Sequence, residues 1–152
     1  MIKILFVCHG NICRSPMAEF VFRDMIQKRG MNSLFFVASA ATSREEIGNP
    51  VHHGTTHKLK EYGISTAGKR AVQLKKSDYQ EFDYIIGMEH CNIRNIERII
   101  GADPEHKVHK LLDFTEAPRD IADPWYTGNF DITYDDILEG CEGLLGHILA
   151  HE

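Results

Sequence analysis

The sequence predicts a single doubly wound α/β domain, with about four parallel strands and helices on both faces. Three observations point there. The chain opens on a short apolar run rich in β-branched residues, Ile2-Lys3-Ile4-Leu5-Phe6-Val7, which reads as a buried parallel strand. Strand-like runs then alternate with segments of helical periodicity, the order that builds a parallel sheet. The 152 residues carry no internal repeat and suit one core, so one domain over residues 1–152 is expected.

The first helix is placed at about Ser15 to Arg29. Pro16 suits a first helical turn, Met17, Val21, Met25 and Ile26 fall at helical spacing, and Gly30 is a left-handed terminator. Leu34 to Ala38 reads as the second strand, ended by a small polar loop, Ser39-Ala40-Ala41-Thr42-Ser43. A right-handed crossover puts that loop beside the loop after the first strand, at the carboxyl edge where ligands bind. Gly48-Asn49-Pro50 is read as a turn and N-cap, opening a helix that ends at Gly63.

In that helix His53 and His57 stand at i, i+4, with His52 next to them. No carboxylate or cysteine completes a metal site, so the three are read as a solvated face, and no metal or other cofactor is expected. Thr66 to Ser77 is basic and irregular. Phe82 to Met88 is the third strand. Glu89 to Ile100 is a helix with Ile93, Ile96 and Ile100 on one face and Gly101 at its end. Val108 to Leu112 is a short fourth strand, leading to Asp113-Phe114 and a loop long enough to suggest function. Asn129 caps the last helix, whose apolar stripe is Tyr134, Ile137, Leu138, Cys141, Leu144, Leu145 and Ile148.

A net charge of -5 and a pI near 6 give no sign of nucleic-acid or membrane affinity. The apolar start is too short for a signal peptide and lacks a cleavage site, and no stretch is long enough to span a bilayer. The four cysteines, Cys8, Cys13, Cys91 and Cys141, have no disulfide-framework spacing, which points to a reducing cytoplasm. Cys8 and Cys13 are the exception, close enough around one loop to pair under oxidation.

The chemistry concentrates in Val7-Cys8-His9-Gly10-Asn11-Ile12-Cys13-Arg14-Ser15-Pro16, the loop from the first strand to the first helix. Such a loop aims several backbone N–H groups and a helix N-terminus at one point, and so binds anions. The N–H groups of His9 through Cys13 would ring a tetrahedral dianion, and the planar fork of Arg14 would grip two of its oxygens. Cys8, at the base, would face the phosphorus in line. The same positive field favours thiolate over thiol, and Ser15 is placed to donate to the sulfur.

Cys-x-Gly-Asn-x-Cys-Arg-Ser-Pro directly after an N-terminal apolar strand resembles the low-molecular-weight protein tyrosine phosphatases. The resemblance implies a flavodoxin-like strand order, 2-1-3-4, and a phosphocysteine intermediate on Cys8 with Arg14 binding the phosphate. It also implies that Asn11 sits in a left-handed conformation supported by a serine, for which Ser39 is the candidate.

Asp123-Pro124 alone reads equally well as a turn or as a carboxylate stiffened by the following proline. The family's general acid lies in an Asp-Pro-aromatic-Tyr-Gly element, and here the chain has Asp123-Pro124-Trp125-Tyr126-Thr127-Gly128, with one threonine inserted. The resemblance therefore implies that Asp123 protonates the leaving phenolate and then, as carboxylate, deprotonates the water that hydrolyses phosphocysteine. Trp125 and Tyr126 would line the cleft and stack on a substrate ring. Where the family carries paired phosphorylatable tyrosines, Trp125 leaves Tyr126 alone.

Two positions depart from the family pattern. Glu45 stands where many relatives have an aromatic wall, and a carboxylate at the lip should repel acidic substrates. A histidine that helps anchor the loop asparagine is missing, its region being Gly68-Lys69-Arg70. Asn11 is then left to Ser15, Ser39 or a group the sequence does not identify. Cys13 reads either as a small buried residue or as the partner of an oxidised Cys8, protecting the sulfur from further oxidation.

The expected function is thus a cytoplasmic protein tyrosine phosphatase acting on phosphotyrosine proteins and small aryl phosphates, as a monomer or weak dimer. Three rival functions share features of this sequence. Thiol-dependent arsenate reduction on the same scaffold needs a cysteine relay, and Cys91 stands alone. Protein-arginine phosphatases carry threonine where this chain has the bulkier Ile12. A non-catalytic phosphate-binding module is disfavoured by the intact Cys8, Arg14 and Asp123.

Overall fold

The computed structural model describes residues 1–152. Four strands form one parallel sheet in the order β2-β1-β3-β4: β1 is Ile2–Cys8, β2 Phe35–Ala41, β3 Tyr84–Gly87 and β4 Val108–Lys110. The strand order is the 2-1-3-4 expected. The helices are α1 (Arg14–Lys28), α2 (His53–Lys60), α3 (Asp78–Glu81), α4 (His90–Ile100), α5 (Pro124–Thr127) and α6 (Phe130–His151).

The two faces of the sheet read directly from the strand period. Ile4, Phe6 and Cys8 of β1 point toward α1 and α6, joining Met17, Phe22, Ile137, Leu144 and Ile148 in the larger core. Leu5 and Val7 point the other way, against Leu74, Tyr79, Ile96 and Ile100. Because β1 is covered on both faces, its carboxyl end is fixed in place. That end carries Cys8.

Several boundaries move for identifiable reasons. Leu34 belongs to a single 3-10 turn, Asn32–Leu34, and β2 runs on through Ser39 to Ala41, because its whole length pairs with β1 up to Cys8↔Ala41. Ser39 is therefore held by a strand, not by a loop. The helix placed after Gly48-Asn49-Pro50 starts later: Pro50 is tied in an antiparallel bridge to Arg70, and α2 is capped by His52, whose Nδ1 accepts from Gly54 N–H at 3.0 Å. It ends at Lys60, before the left-handed Gly63. The third strand is shorter than Phe82–Met88. Glu89 is the N-cap of α4 and not part of it. The fourth strand stops at Lys110, where a 3-10 turn, Leu111–Phe114, takes over.

That turn is where α6 crosses the chain, and the crossing is close. A Cβ on Gly140 would lie 2.4 Å from Leu111 Cγ, and one on Gly143 only 2.3 Å from the Phe114 carbonyl oxygen. The contact anchors the base of the long loop that carries Asp123.

Candidate active site

The loop between Cys8 and Arg14 is wrapped from outside. Its carbonyls are taken by neighbours: Thr42 N–H donates to Cys8 O at 3.0 Å, Ser43 N–H to His9 O at 2.9 Å, His52 N–H to Ile12 O at 2.8 Å and Thr55 Oγ1 to Cys13 O at 3.2 Å. The backbone N–H groups of residues 9–13 donate to nothing within the chain. Asn11 sits at φ 59°, a left-handed conformation that asparagine tolerates better than most residues. Such a run of unpaired N–H groups at the start of a helix is an anion site.

Under the loop a chain of hydrogen bonds has one direction. Glu19 is 2% exposed and ion-paired with Arg23 at 2.6 Å and with Lys69 at 3.7 Å. Ser39 gives its single hydroxyl hydrogen to Glu19, so its oxygen accepts from Asn11 Nδ2 at 2.9 Å. Asn11 donates its other amide hydrogen to Ser15 Oγ at 2.8 Å, while Val72 N–H donates to Asn11 Oδ1 at 3.1 Å. The Ser15 hydroxyl hydrogen is left for Cys8 Sγ, 3.0 Å away, with Ser15 N–H adding a longer contact at 3.4 Å.

Ser15 and Ser39 thus both accept from Asn11. The unidentified group is the Val72 backbone, and Lys69 braces the network by donating to Ser39 O at 2.9 Å. Burial lowers the Lys69 pKa, with Glu19 pulling the other way. Glu19 was missed in the sequence. Its signal was Ser15, Glu19 and Arg23 at i, i+4, i+8, a polar line beside the apolar Met17, Ala18, Val21 and Phe22 of the same helix.

Arg14 is 2% exposed. Its guanidinium donates to Ile121 O at 2.7 Å, to Glu89 and, at 3.4 Å, to Asp123 Oδ2. Burial works against the charge, but Cys8, Asp123 and Glu89 more than offset it and hold the pKa above its ordinary value. Glu89 also accepts from Cys91 Sγ at 2.6 Å. Burial first, and Glu89 next, push the Cys91 thiol up to about 11. Sequence reading placed Glu89 in a helix without a role. As an acidic residue just past the carboxyl end of β3, it stood where a ligand-side group was to be sought.

Asp123 comes from the far side of the cleft. It N-caps α5, its Oδ1 accepting from Trp125 N–H at 3.0 Å. Cys8, Ile12, Arg14, Asp123, Trp125 and Tyr126 share one cavity of about 140 Å³ with Cys13, Glu45 and Glu46. Tyr126 is 84% and Trp125 57% exposed, so both present apolar surface to the opening. Glu45 is at the lip and pairs with His9 Nε2 at 2.9 Å. Cys13 is buried; burial first, then Cys8 and Asp123, push its thiol up to about 12. All four cysteines are free thiols.

One histidine departs from the solvated reading. His53 and His57 are exposed, but the ring of His52 is half-buried and packed among other rings. Among all residues no group of three His, Cys, Asp or Glu is arranged to hold a metal.

A doubly wound sheet whose first strand ends in a cysteine–arginine loop of free N–H groups, faced by a carboxylate from another loop, defines an anion-binding α/β protein built around a thiol. Residues 3–152 match the model of the low molecular weight phosphotyrosine protein phosphatases. The chain belongs to that family. It is 44% identical over 150 residues to the low molecular weight protein-tyrosine-phosphatase YfkJ of Bacillus subtilis, covering 97% of this chain and 96% of that one. It is 38% identical to the low molecular weight protein-tyrosine-phosphatase PtpA of Staphylococcus epidermidis, over 98% and 95% of the two chains. The crystal structure of YfkJ superposes with a TM-score of 0.95 at 43% identity, covering 100% of this chain and 97% of the other. A Drosophila arginine phosphatase superposes with a TM-score of 0.89 at 29% identity, over 99% and 100%.

Proposed function

We propose that this chain hydrolyses phosphotyrosine in proteins, and small aryl phosphates, through a phosphocysteine on Cys8. The observation that carries the reading is the placement of Cys8, Arg14 and Asp123 around one cavity whose floor is a ring of unpaired N–H groups. The phosphate dianion sits in that ring and exchanges the Glu89 and Asp123 contacts of Arg14 for its own oxygens. Cys8 attacks in line. The phosphorus–sulfur bond forms as the phosphorus–oxygen bond breaks, and Asp123, protonated, gives its proton to the leaving phenolate.

In the second half, Asp123 as carboxylate takes a proton from water while the water attacks phosphorus. Sulfur leaves as thiolate, met by the Ser15 hydroxyl, and inorganic phosphate is released. Trp125, Tyr126 and Ile12 give the cleft apolar walls suited to an aryl ring. The Glu45 carboxylate at the lip selects against acidic flanks. No cofactor takes part, a phosphoprotein is the partner, and the working state is a monomer or weak dimer. No helix is long and apolar enough to cross a membrane, and the free thiols suit a reducing cytoplasm. Cys13 would condense with oxidised Cys8 when peroxide reaches the site.

The test is hydrolysis of p-nitrophenyl phosphate with EDTA present, with phosphoarginine as a second substrate. Activity abolished in Cys8→Ser and lowered about 10²- to 10⁴-fold in Asp123→Ala supports the assigned roles. Activity surviving Cys8→Ser overturns the phosphocysteine route, and preferential turnover of phosphoarginine overturns the substrate class.

A further inference from the structure

His52 touches both halves of the cleft. Its backbone N–H donates to Ile12 O at 2.8 Å, fixing it to the phosphate-binding loop. Its ring lies edge-on to Trp125, with centroids 5.5 Å apart and planes at 72°, and stacks on Phe130 at 5.4 Å and 12°. Trp125 lies within the short α5, and Phe130 opens α6 just past the left-handed Gly128, so both sides of the turn behind Asp123 rest on one imidazole.

The contact is built deliberately into α2. Nδ1 of His52 caps that helix, which fixes the ring's rotation. The next residue but one is Gly54, where a Cβ would lie 2.3 Å from the Phe130 ring. A larger residue there would push Phe130 off the stack. Trp125, more than half exposed, has no other aromatic neighbour.

We propose that His52 is a positioning residue: it sets the distance between the acid loop and the phosphate-binding loop, and so places Asp123 over the leaving oxygen. The proposal rests on Asp123 being the general acid. His52 touches neither substrate nor phosphorus. The backbone N–H of Trp125 holds Asp123 Oδ1, so a shift of the α5 backbone that follows the indole off His52 moves the carboxyl with it. An error of about 1 Å in such placement costs on the order of 10²-fold in rate.

The experiment compares kcat/KM for phenyl phosphate and p-nitrophenyl phosphate in each protein. Phenolate is the poorer leaving group and depends more on the proton. The ratio of the two values is internal to one sample, so any unfolded fraction cancels. Asp123→Ala should raise the p-nitrophenyl to phenyl ratio steeply. His52→Asn keeps an acceptor for the α2 cap but removes the ring, and should raise the ratio about tenfold. His52→Phe keeps the ring and should return it to within about twofold of the parent. A flat ratio in Asp123→Ala overturns the acid assignment and this inference with it. A steep Asp123→Ala ratio with a flat His52→Asn ratio, or an unrescued His52→Phe, overturns this inference alone.

Discussion

The backbone N–H of Val72 donates to Asn11 Oδ1 over 3.1 Å, and that bond decides which way the loop amide faces. With the oxygen committed to Val72, the nitrogen must point at Ser15 and Ser39. Asn11→Asp preserves the left-handed preference but removes both donors. The Ser15 hydroxyl then turns to the new carboxylate and abandons Cys8. Losing a hydrogen bond to a charged group costs about 1.5–3 kcal/mol, so kcat/KM should fall roughly 10- to 100-fold. Steady-state kinetics on p-nitrophenyl phosphate measures it, and an unchanged value refutes the direction assigned to the network.

Alkylation separates the two thiols of the loop. Cys13, with its thiol pushed up to about 12, stays protonated and slow toward an external alkylating agent at neutral pH, while the Cys8 sulfur faces the open cavity. Iodoacetate at pH 7 should label Cys8 and spare Cys13, and inorganic phosphate should protect Cys8. Peptide mass mapping reads both outcomes; label on Cys13 first would contradict the assignment.

Two glycines of α6 should respond to alanine in opposite senses. Gly146 has nothing within 4 Å of an added Cβ, so alanine there gains helix propensity and should stabilise by about 0.5–1 kcal/mol. At Gly143 the same methyl meets the Phe114 carbonyl at 2.3 Å, a backbone atom that cannot swing away. Overpacking of this kind costs about 1–3 kcal/mol. Urea denaturation of the two variants, read at their midpoints, checks the sign in each case.

Asp103 gives the fold an acid dependence. Burial alone would raise its pKa, but bonds from Tyr79 Oη at 2.7 Å, Lys107 N–H at 2.8 Å and Val108 N–H at 3.1 Å outweigh that and lower it. A depressed carboxyl stabilises the fold fully above its unfolded pKa of roughly 3.9, and the contribution drains away as pH falls through the lower folded value. Asp103→Asn should therefore lower stability by about 1 kcal/mol at pH 7. The gap from the parent should narrow as the urea midpoints are followed below pH ~4.

The sheet was legible because its signals are local. The β-branched run of β1, the Gly30 terminator and the isoleucine stripe of α4 each fix an element without help from elsewhere. Ser39 escaped the strand, since a small polar residue lengthens β2 only by virtue of pairing with β1 across the whole register. Asn49-Pro50 looked like a cap, and a bridge to Arg70, 20 residues on, overrode it. The site divides the same way. Cys8, Arg14 and Ser15 share a short loop, and a motif holds them. Glu19, Val72 and Glu89 act on that loop from α1, from the irregular basic stretch and from the end of β3. One of the three works through its backbone, where side-chain chemistry leaves no mark.

Asp123 holds the first turn of α5, the segment that carries its own neighbours Trp125 and Tyr126. A carboxylate accepts a hydrogen bond more strongly than a carboxylic acid does. In the proposed cycle the side chain is an acid when substrate enters and a carboxylate when water attacks. The wall of the cleft is therefore slacker while a bulky phosphoprotein is seating itself and tauter once the phenol has left. The proton that is passed in the chemistry also times the stiffness of the doorway.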